Sequence, residues 1–206
     1  ERSRHIAEQL SSGIEYLLKK NNINILKGIA HFDNKKNLIV KTKNNADTLV
    51  EAEKIIIATG AKPKLLPFMK NFNNNLWSYY EALSSVKPPS SLGIIGSGAI
   101  GIEFASFFNS LGSKVKVFEV KDKILPSEDS DVSKMLEKIL ENKGIKFLKN
   151  TEVCDIEENK ELVLKTKKLS NSKIPDTHSF EKVLVAVGVE GNTDGLCLEK
   201  TNIKKN

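Results

Sequence analysis

The sequence predicts an α/β fold, with helices wound onto a parallel sheet and antiparallel strands laid over it. Three observations carry that expectation. A glycine-rich turn, Gly96-Ser97-Gly98-Ala99-Ile100-Gly101, stands between the apolar strand Leu92-Gly93-Ile94-Ile95 and an apolar helical run. A second strand, Lys114-Val115-Lys116-Val117-Phe118, follows the helix and ends on an acid, Glu119. Residues 151–182 then alternate as an antiparallel meander does, with Val153 and Ile156, Leu162 and Leu164, and Phe180 as the apolar positions.

A G-x-G-x-x-G alone is weak evidence, because glycines gather in turns by chance. Here the strand before it, the helix after it and the acid-terminated second strand make a complete dinucleotide-binding, Rossmann-like unit over residues 91–119. Gly96 permits the tight turn, Gly98 lets backbone approach a pyrophosphate, and Gly101 lets helix pack on strand. The helix N-terminus adds unpaired N–H groups and a positive dipole end. Glu119 stands where a carboxylate accepts hydrogen bonds from the adenosine ribose, so a 2′-phosphate would meet a negative charge. NAD(H) is therefore expected over NADP(H). Lys121 and Lys123 could offset some of that repulsion, but in a lysine-rich chain they read as solvated surface groups.

The remaining elements follow in order. Residues 3–21 place Ile6, Leu10, Ile14, Leu17 and Leu18 at helical spacing, ending at Asn21-Asn22, although Gly13 weakens the middle. Short strands are expected at 23–26, 38–41 and 48–52, and an apolar strand at Lys54-Ile55-Ile56-Ile57-Ala58 reads as central and covered on both faces. Residues 64–90, with Pro67, Pro88 and Pro89, read as an interdomain connection. The helix Ala99–Leu111 is apolar nearly all round and should be buried, with Gly112 as its cap. A helix at 131–142, a strand at 145–148 and a buried strand at 183–188 complete the pattern. The runs 55–60 and 184–188 echo each other, each an apolar strand ending in a glycine, as two related nucleotide-binding domains in tandem would. Two unrelated buried strands would look the same by periodicity.

Composition limits the function classes. The 206 residues suffice for one large or two small domains, and 39% hydrophobic content with a mean hydropathy of -0.29 fits a globular protein. The net charge of +6 is spread along the chain without interleaved aromatics, so no nucleic-acid role is expected. No apolar run nears the roughly 20 residues of a membrane span, and the opening Glu1-Arg2-Ser3-Arg4-His5 has no signal-peptide pattern. Cys154 and Cys197 are too far apart for a C-x-x-C pair and read as small buried hydrophobes. His5, His31 and His178 lack ligand spacing, so no metal site is expected.

Taken in order, Ala58-Thr59-Gly60-x-x-Pro63, Gly96-x-Gly98-x-x-Gly101-x-Glu103, Glu119, Ile124-Leu125-Pro126 and Val185-Ala186-Val187-Gly188-x-x-Gly191-Asn192 resemble the FAD-dependent pyridine nucleotide–disulfide oxidoreductases. Within that family the detail resembles the dihydrolipoamide dehydrogenase branch, with support from Arg2–Ile6, Leu76–Leu83 and Leu125–Asp129. The likeness runs along essentially the whole chain. It implies a three-layer ββα NAD-binding domain at 91–188, a partial FAD-binding domain at 1–63, the connection at 64–90, and a return toward the FAD-binding domain at 189–206. On this likeness the chain reads as an internal fragment, because the family's N-terminal FAD loop, redox disulfide and acid–base histidine are not in it.

The resemblance assigns Gly96, Ser97, Gly98, Ala99 and Ile100 to the NAD pyrophosphate, Glu119 to the ribose and Glu103 to the nicotinamide amide. Apolar neighbours on its helix argue that Glu103 is not an ordinary exposed carboxylate. Val153 would lie against the adenine, and Ala186, Val187 and Gly188 along the nicotinamide ribose. Thr59, Gly60 and Ala30 match backbone contacts to FAD. Ala99 replaces an aromatic lid found in some relatives. The implied whole enzyme oxidises dihydrolipoamide through a disulfide and FAD with hydride transfer to NAD. It would be a homodimer serving a 2-oxo-acid dehydrogenase complex in a bacterial cytoplasm or an organelle matrix. No catalytic residue falls in this chain, which alone should be inactive. Another flavoprotein disulfide reductase, a mercuric reductase, an NADH oxidase or a stand-alone NAD-binding module are the alternatives.

Overall fold

The computed structural model describes residues 2–43, 46–69, 71–170 and 175–204. They form two compact units, one of the residues up to Thr59 together with those from Asn192, the other Gly60–Gly191.

The first unit opens with the helix α1 (Arg2–Lys20), which runs through Gly13 without a break. None of its residues is buried, and Leu10, Ile14 and Leu17 stand exposed on its apolar side. Three antiparallel strands follow: β1 (Gly28–Phe32), β2 (Asn37–Thr42) and β3 (Asp47–Glu51). The first strand therefore lies later than the expected 23–26. Its place is set by the turn at Asn34, whose side chain accepts from the N–H groups of Lys36 and Asn37 and fixes Phe32 opposite Leu38. Phe32 packs with Leu196, Leu198 and Ile55 in a small core. The expected strand at 54–58 pairs with no strand among the described residues, and Ile56 is 91% exposed. An apolar run becomes a central strand only when neighbours supply both ladders.

The second unit is a layered α/β sandwich. Its elements are β4 (Ala61–Pro63), β5 (Leu76–Trp77), α2 (Tyr79–Ser84), β6 (Ser91–Ile95), α3 (Ala99–Ser110), β7 (Lys114–Phe118), α4 (Ser130–Asn142), β8 (Lys146–Leu148), β9 (Thr151–Glu158), β10 (Leu162–Lys168), β11 (Asp176–Phe180), β12 (Lys182–Val185) and β13 (Val189–Gly191). A parallel sheet runs in the order β5-β12-β6-β7-β8, and the antiparallel meander in the order β11-β10-β9. The mixed parallel and antiparallel α/β architecture expected from the sequence is the one observed.

Period-two alternation sorts the sheet's side chains into two cores. Leu92, Ile94, Val115, Val117 and Leu184 face the helices, against Ile102, Ala105, Phe108 and Leu140. Ile95, Phe118, Val183 and Val185 face the meander, against Val153, Leu164 and Phe180. Gly93 sits on the meander side, where an added Cβ would lie 2.7 Å from the Phe180 ring, so a glycine lets that ring lie flat on the strand.

Residues 64–90 do more than connect. β5 pairs with β12 as an edge of the parallel sheet, and α2 is held by a capping box between Ser78 and Glu81. The parallel sheet is thus not confined to 91–188. Nor is α3 buried all round: Phe107 is 56% exposed and Leu111 lies open beside it. Gly112 adopts φ +95° just beyond α3, as the cap expectation required. Among the described residues no helix is long and apolar enough to cross a membrane.

His178 on β11 lies between the layers, its ring 5.1 Å from that of Phe118 and its buried Nε2 without a hydrogen-bond partner among the described residues. Burial first, and then the Lys116 ammonium, hold its imidazole below the ordinary value of 6.5, with Asp176 opposing. The unfolded chain therefore binds this proton more readily, so stability is full above pH 6.5 and declines as pH falls below it. Urea melts between pH 8 and pH 5 should show that loss, and His178→Leu should flatten it; parallel losses in both proteins would show that the decline arises elsewhere.

Candidate functional site

The C-terminal ends of β6, β7 and β12 converge on a cavity of about 710 Å3, within the range of small-molecule sites. Parallel strands of one sheet end on one side, and the turns leaving them form the crevice in which such folds take ligands.

The floor is the turn from β6 to α3. Ala186 N–H donates to Ile95 O at 2.8 Å and Gly96 N–H to Phe118 O at 2.8 Å, drawing the three strand ends together. Gly96 has φ +98°, and a Cβ there would lie 2.5 Å from Ala186 O. A Cβ on Gly101 would lie 2.1 Å from Gly96 O, so α3 rests directly on the turn. Gly98 differs from both. A Cβ there would meet nothing within 4 Å, and the residue opens onto the cavity as the N-cap of α3. The first N–H groups of that helix have no intrahelical acceptors and, with the dipole, favour an anion at this place.

One wall carries Glu119, only 7% exposed at the end of β7. Its Oε2 accepts from Ser97 N–H at 2.9 Å and from Ser97 Oγ–H at 2.6 Å, and its Oε1 accepts from Lys121 N–H at 2.9 Å. Its main chain is tied as well, with Glu119 N–H to Leu148 O and Thr151 N–H to Glu119 O, both at 2.9 Å. Leu66, Pro67, Phe68 and Val153 add an apolar lining.

Of the residues singled out from the sequence, Gly96, Ser97, Gly98, Ala99, Ile100, Glu119, Val153, Ala186, Val187 and Gly188 all line this cavity. Gly101 packs beneath it. Glu103 does not join them: it is exposed on α3 and lines a separate groove with Leu83, Phe107 and Leu111. The apolar residues flanking it in sequence turn to other faces of the helix, so they do not bury it. Ala30 and Thr59 belong to the first unit, where Thr59 Oγ–H donates to Asn192 O at 2.6 Å, while Gly60, with φ +77°, opens the second. Sequence reasoning missed Leu66, Pro67 and Phe68, taken as connection, and Cys154, which is exposed rather than buried and lines the cavity beside Val153. Strand alternation was the available signal, because Val153 pointing inward at this edge leaves its neighbour on the open side. Cys197 is half-buried at φ +54°. Among the described residues there is no cluster of His, Cys, Asp and Glu able to hold a metal.

Residues 1–206 match the pyridine nucleotide-disulphide oxidoreductase family. The chain is 35% identical over 203 residues to the dihydrolipoyl dehydrogenase of Zymomonas mobilis, covering 98% of this chain and 43% of the relative. It is 32% identical over 202 residues to a dihydrolipoyl dehydrogenase of Bacillus subtilis, with 98% and 43% covered. The chain thus spans less than half the length of these relatives. Among solved structures, the HOCl-induced flavoprotein disulfide reductase RclA from Escherichia coli superposes with a TM-score of 0.75 at 27% identity, covering 97% of this chain and 46% of that one. LpdA from Mycobacterium tuberculosis shares the fold with a TM-score of 0.86 at 23% identity, covering 98% and 44%.

The glycines of the turn can be told apart by substitution. Gly101→Ala should cost upwards of about 3 kcal/mol of stability, because its Cβ meets backbone that cannot move aside. Gly98→Ala should cost under about 1 kcal/mol, a poorer N-cap in open space. Equal losses in thermal melts would contradict the packing described here.

Proposed function

The chain belongs to the pyridine nucleotide-disulphide oxidoreductase family, and from that premise we propose that its second unit is the NAD(H)-holding portion of a dihydrolipoamide dehydrogenase. The observation that carries the reading is the pairing, in one cavity, of an open Gly98 at a helix N-terminus with an anchored carboxylate at Glu119. The backbone of Gly98, Ala99 and Ile100 would take the pyrophosphate and Glu119 the adenosine ribose hydroxyls. Val153 would lie against the adenine, and Ala186, Val187 and Gly188 along the nicotinamide half. Glu103 remains assigned to the nicotinamide amide only by family likeness, since it lines a different groove. The relatives named dihydrolipoyl dehydrogenase support the branch.

NAD, when bound, would supply the hydride-accepting nicotinamide. This chain would contribute position: a polar cradle for the phosphates, an apolar wall at Phe68 and Val153, and a carboxylate that distinguishes a ribose from its 2′-phosphate. FAD is the family's second cofactor, and toward it this chain would offer only the backbone positions that the likeness gives to Ala30, Thr59 and Gly60. The Thr59 hydroxyl itself donates to Asn192 O. The whole enzyme, in this proposal, is a cytoplasmic or organelle-matrix homodimer serving a 2-oxo-acid dehydrogenase complex. A second reading, another flavoprotein disulfide reductase, draws on the likeness to RclA. Neither Cys154 nor Cys197 stands in a C-x-x-x-x-C motif.

Calorimetry tests the cofactor. The chain should bind NADH more tightly than NADPH, and Glu119→Ala should weaken NADH by about 1–3 kcal/mol and narrow the gap between the two nucleotides. Equal affinity of the unsubstituted chain for both would remove Glu119 from ribose recognition.

A further inference from the structure

Ser97 occupies the second position of the glycine turn, and its position is unlike that of its neighbours. Its side chain is fully buried, and its N–H and Oγ–H both donate to the same Glu119 oxygen, at 2.9 and 2.6 Å. Its carbonyl accepts from Leu125 N–H at 2.9 Å, holding the loop whose Pro126 lines the cavity. Both of its donors are therefore committed to a carboxylate rather than offered to a phosphate.

The consequence falls on Glu119. An ionised carboxylate has about four acceptor positions in its plane. Ser97 fills two on Oε2, and Lys121 N–H fills one on Oε1. Glu119 cannot rotate without breaking both bonds to Ser97; among the described residues the position left open is on Oε1, and Glu119 lines the cavity. A carboxylate held in this way meets a ribose hydroxyl without first being ordered, and it cannot swing aside to admit a 2′-phosphate.

Resting on the NAD(H) reading above, we propose that Ser97 is a positioning residue for nucleotide specificity, acting through Glu119 and not through the phosphates. A serine whose role was only to complete the turn would act whether or not Glu119 were present. That difference makes the two roles separable by a double-mutant cycle.

The test is calorimetry of the 206-residue chain with NADH and NADPH for the unsubstituted protein, Ser97→Ala, Glu119→Ala and the double variant. Ser97→Ala should weaken NADH by about tenfold, the scale of one charge-assisted hydrogen bond, and bring NADPH closer to it. In the Glu119→Ala background the same change should alter NADH affinity by less than about twofold. Ser97→Cys, close in size but a weak donor, should weaken NADH in the same direction and serves if the alanine variant does not fold. A Ser97→Ala effect that persists undiminished without Glu119, or no effect at all, overturns the proposal and leaves the NAD(H) reading standing. An unsubstituted chain that binds no NADH overturns that reading first, and this inference with it.

Discussion

The close approach of backbone to backbone at Gly96 is the constraint on which the site depends. Its carbonyl supports α3 at Gly101, its Cα faces Ala186 O, and its N–H reaches across to Phe118 O. Three parallel strands and a helix N-terminus can meet at one place only if the chain there has no side chain and tolerates φ +98°. The floor of the cavity and the strand ends around it follow from that meeting. β6 delivers the turn, β7 delivers Glu119 and β12 delivers Ala186, Val187 and Gly188.

The second unit was legible because its signals are local and agree with one another. Leu92, Ile94, Val115 and Val117 alternate with residues bound for the other core, so strand and sheet face can be read together. Gly112 and Gly144 both adopt φ +95° just past the ends of helices, as their sequence positions suggest. Even α2, which went unread, had a signal: Ser78 followed three residues later by Glu81 is the capping box that the structure contains. Prolines nearby at 67, 88 and 89 made the segment look like a linker, and the structure gives it a strand, a helix and part of the cavity wall.

What was not legible depends on neighbours rather than on local pattern. The run Ile55-Ile56-Ile57 has the composition of a central strand, yet composition does not provide partners, and Ile56 stands in solvent. The strand at 28–32 was misplaced because Ile23-Asn24-Ile25-Leu26 is equally apolar, and the Asn34 turn, which sets the register, acts from beyond it. Glu103 illustrates the same limit on a helix. Residues adjacent in sequence are about 100° apart around the axis, so Ile102 can be buried while Glu103 is open.

The way Glu119 is held joins the fold to the site while keeping the two separable. Its main chain carries ladder bonds to Leu148 and Thr151, which bring β8 and the start of β9 alongside the end of β7. β9 then presents Val153 to the cavity, so the position of one wall depends on backbone at the residue whose side chain forms another. Among the described residues the carboxylate itself bonds to Ser97 and to Lys121 N–H, neither of which belongs to the meander. Changing the side chain at 119 thus removes the acceptor and leaves the ladder intact, whereas distorting the backbone there would move Val153 as well. The division has a physical cause: ladder bonds are made by main-chain atoms common to all residues but proline, and the acceptor pair by a carboxylate that only an acidic side chain supplies.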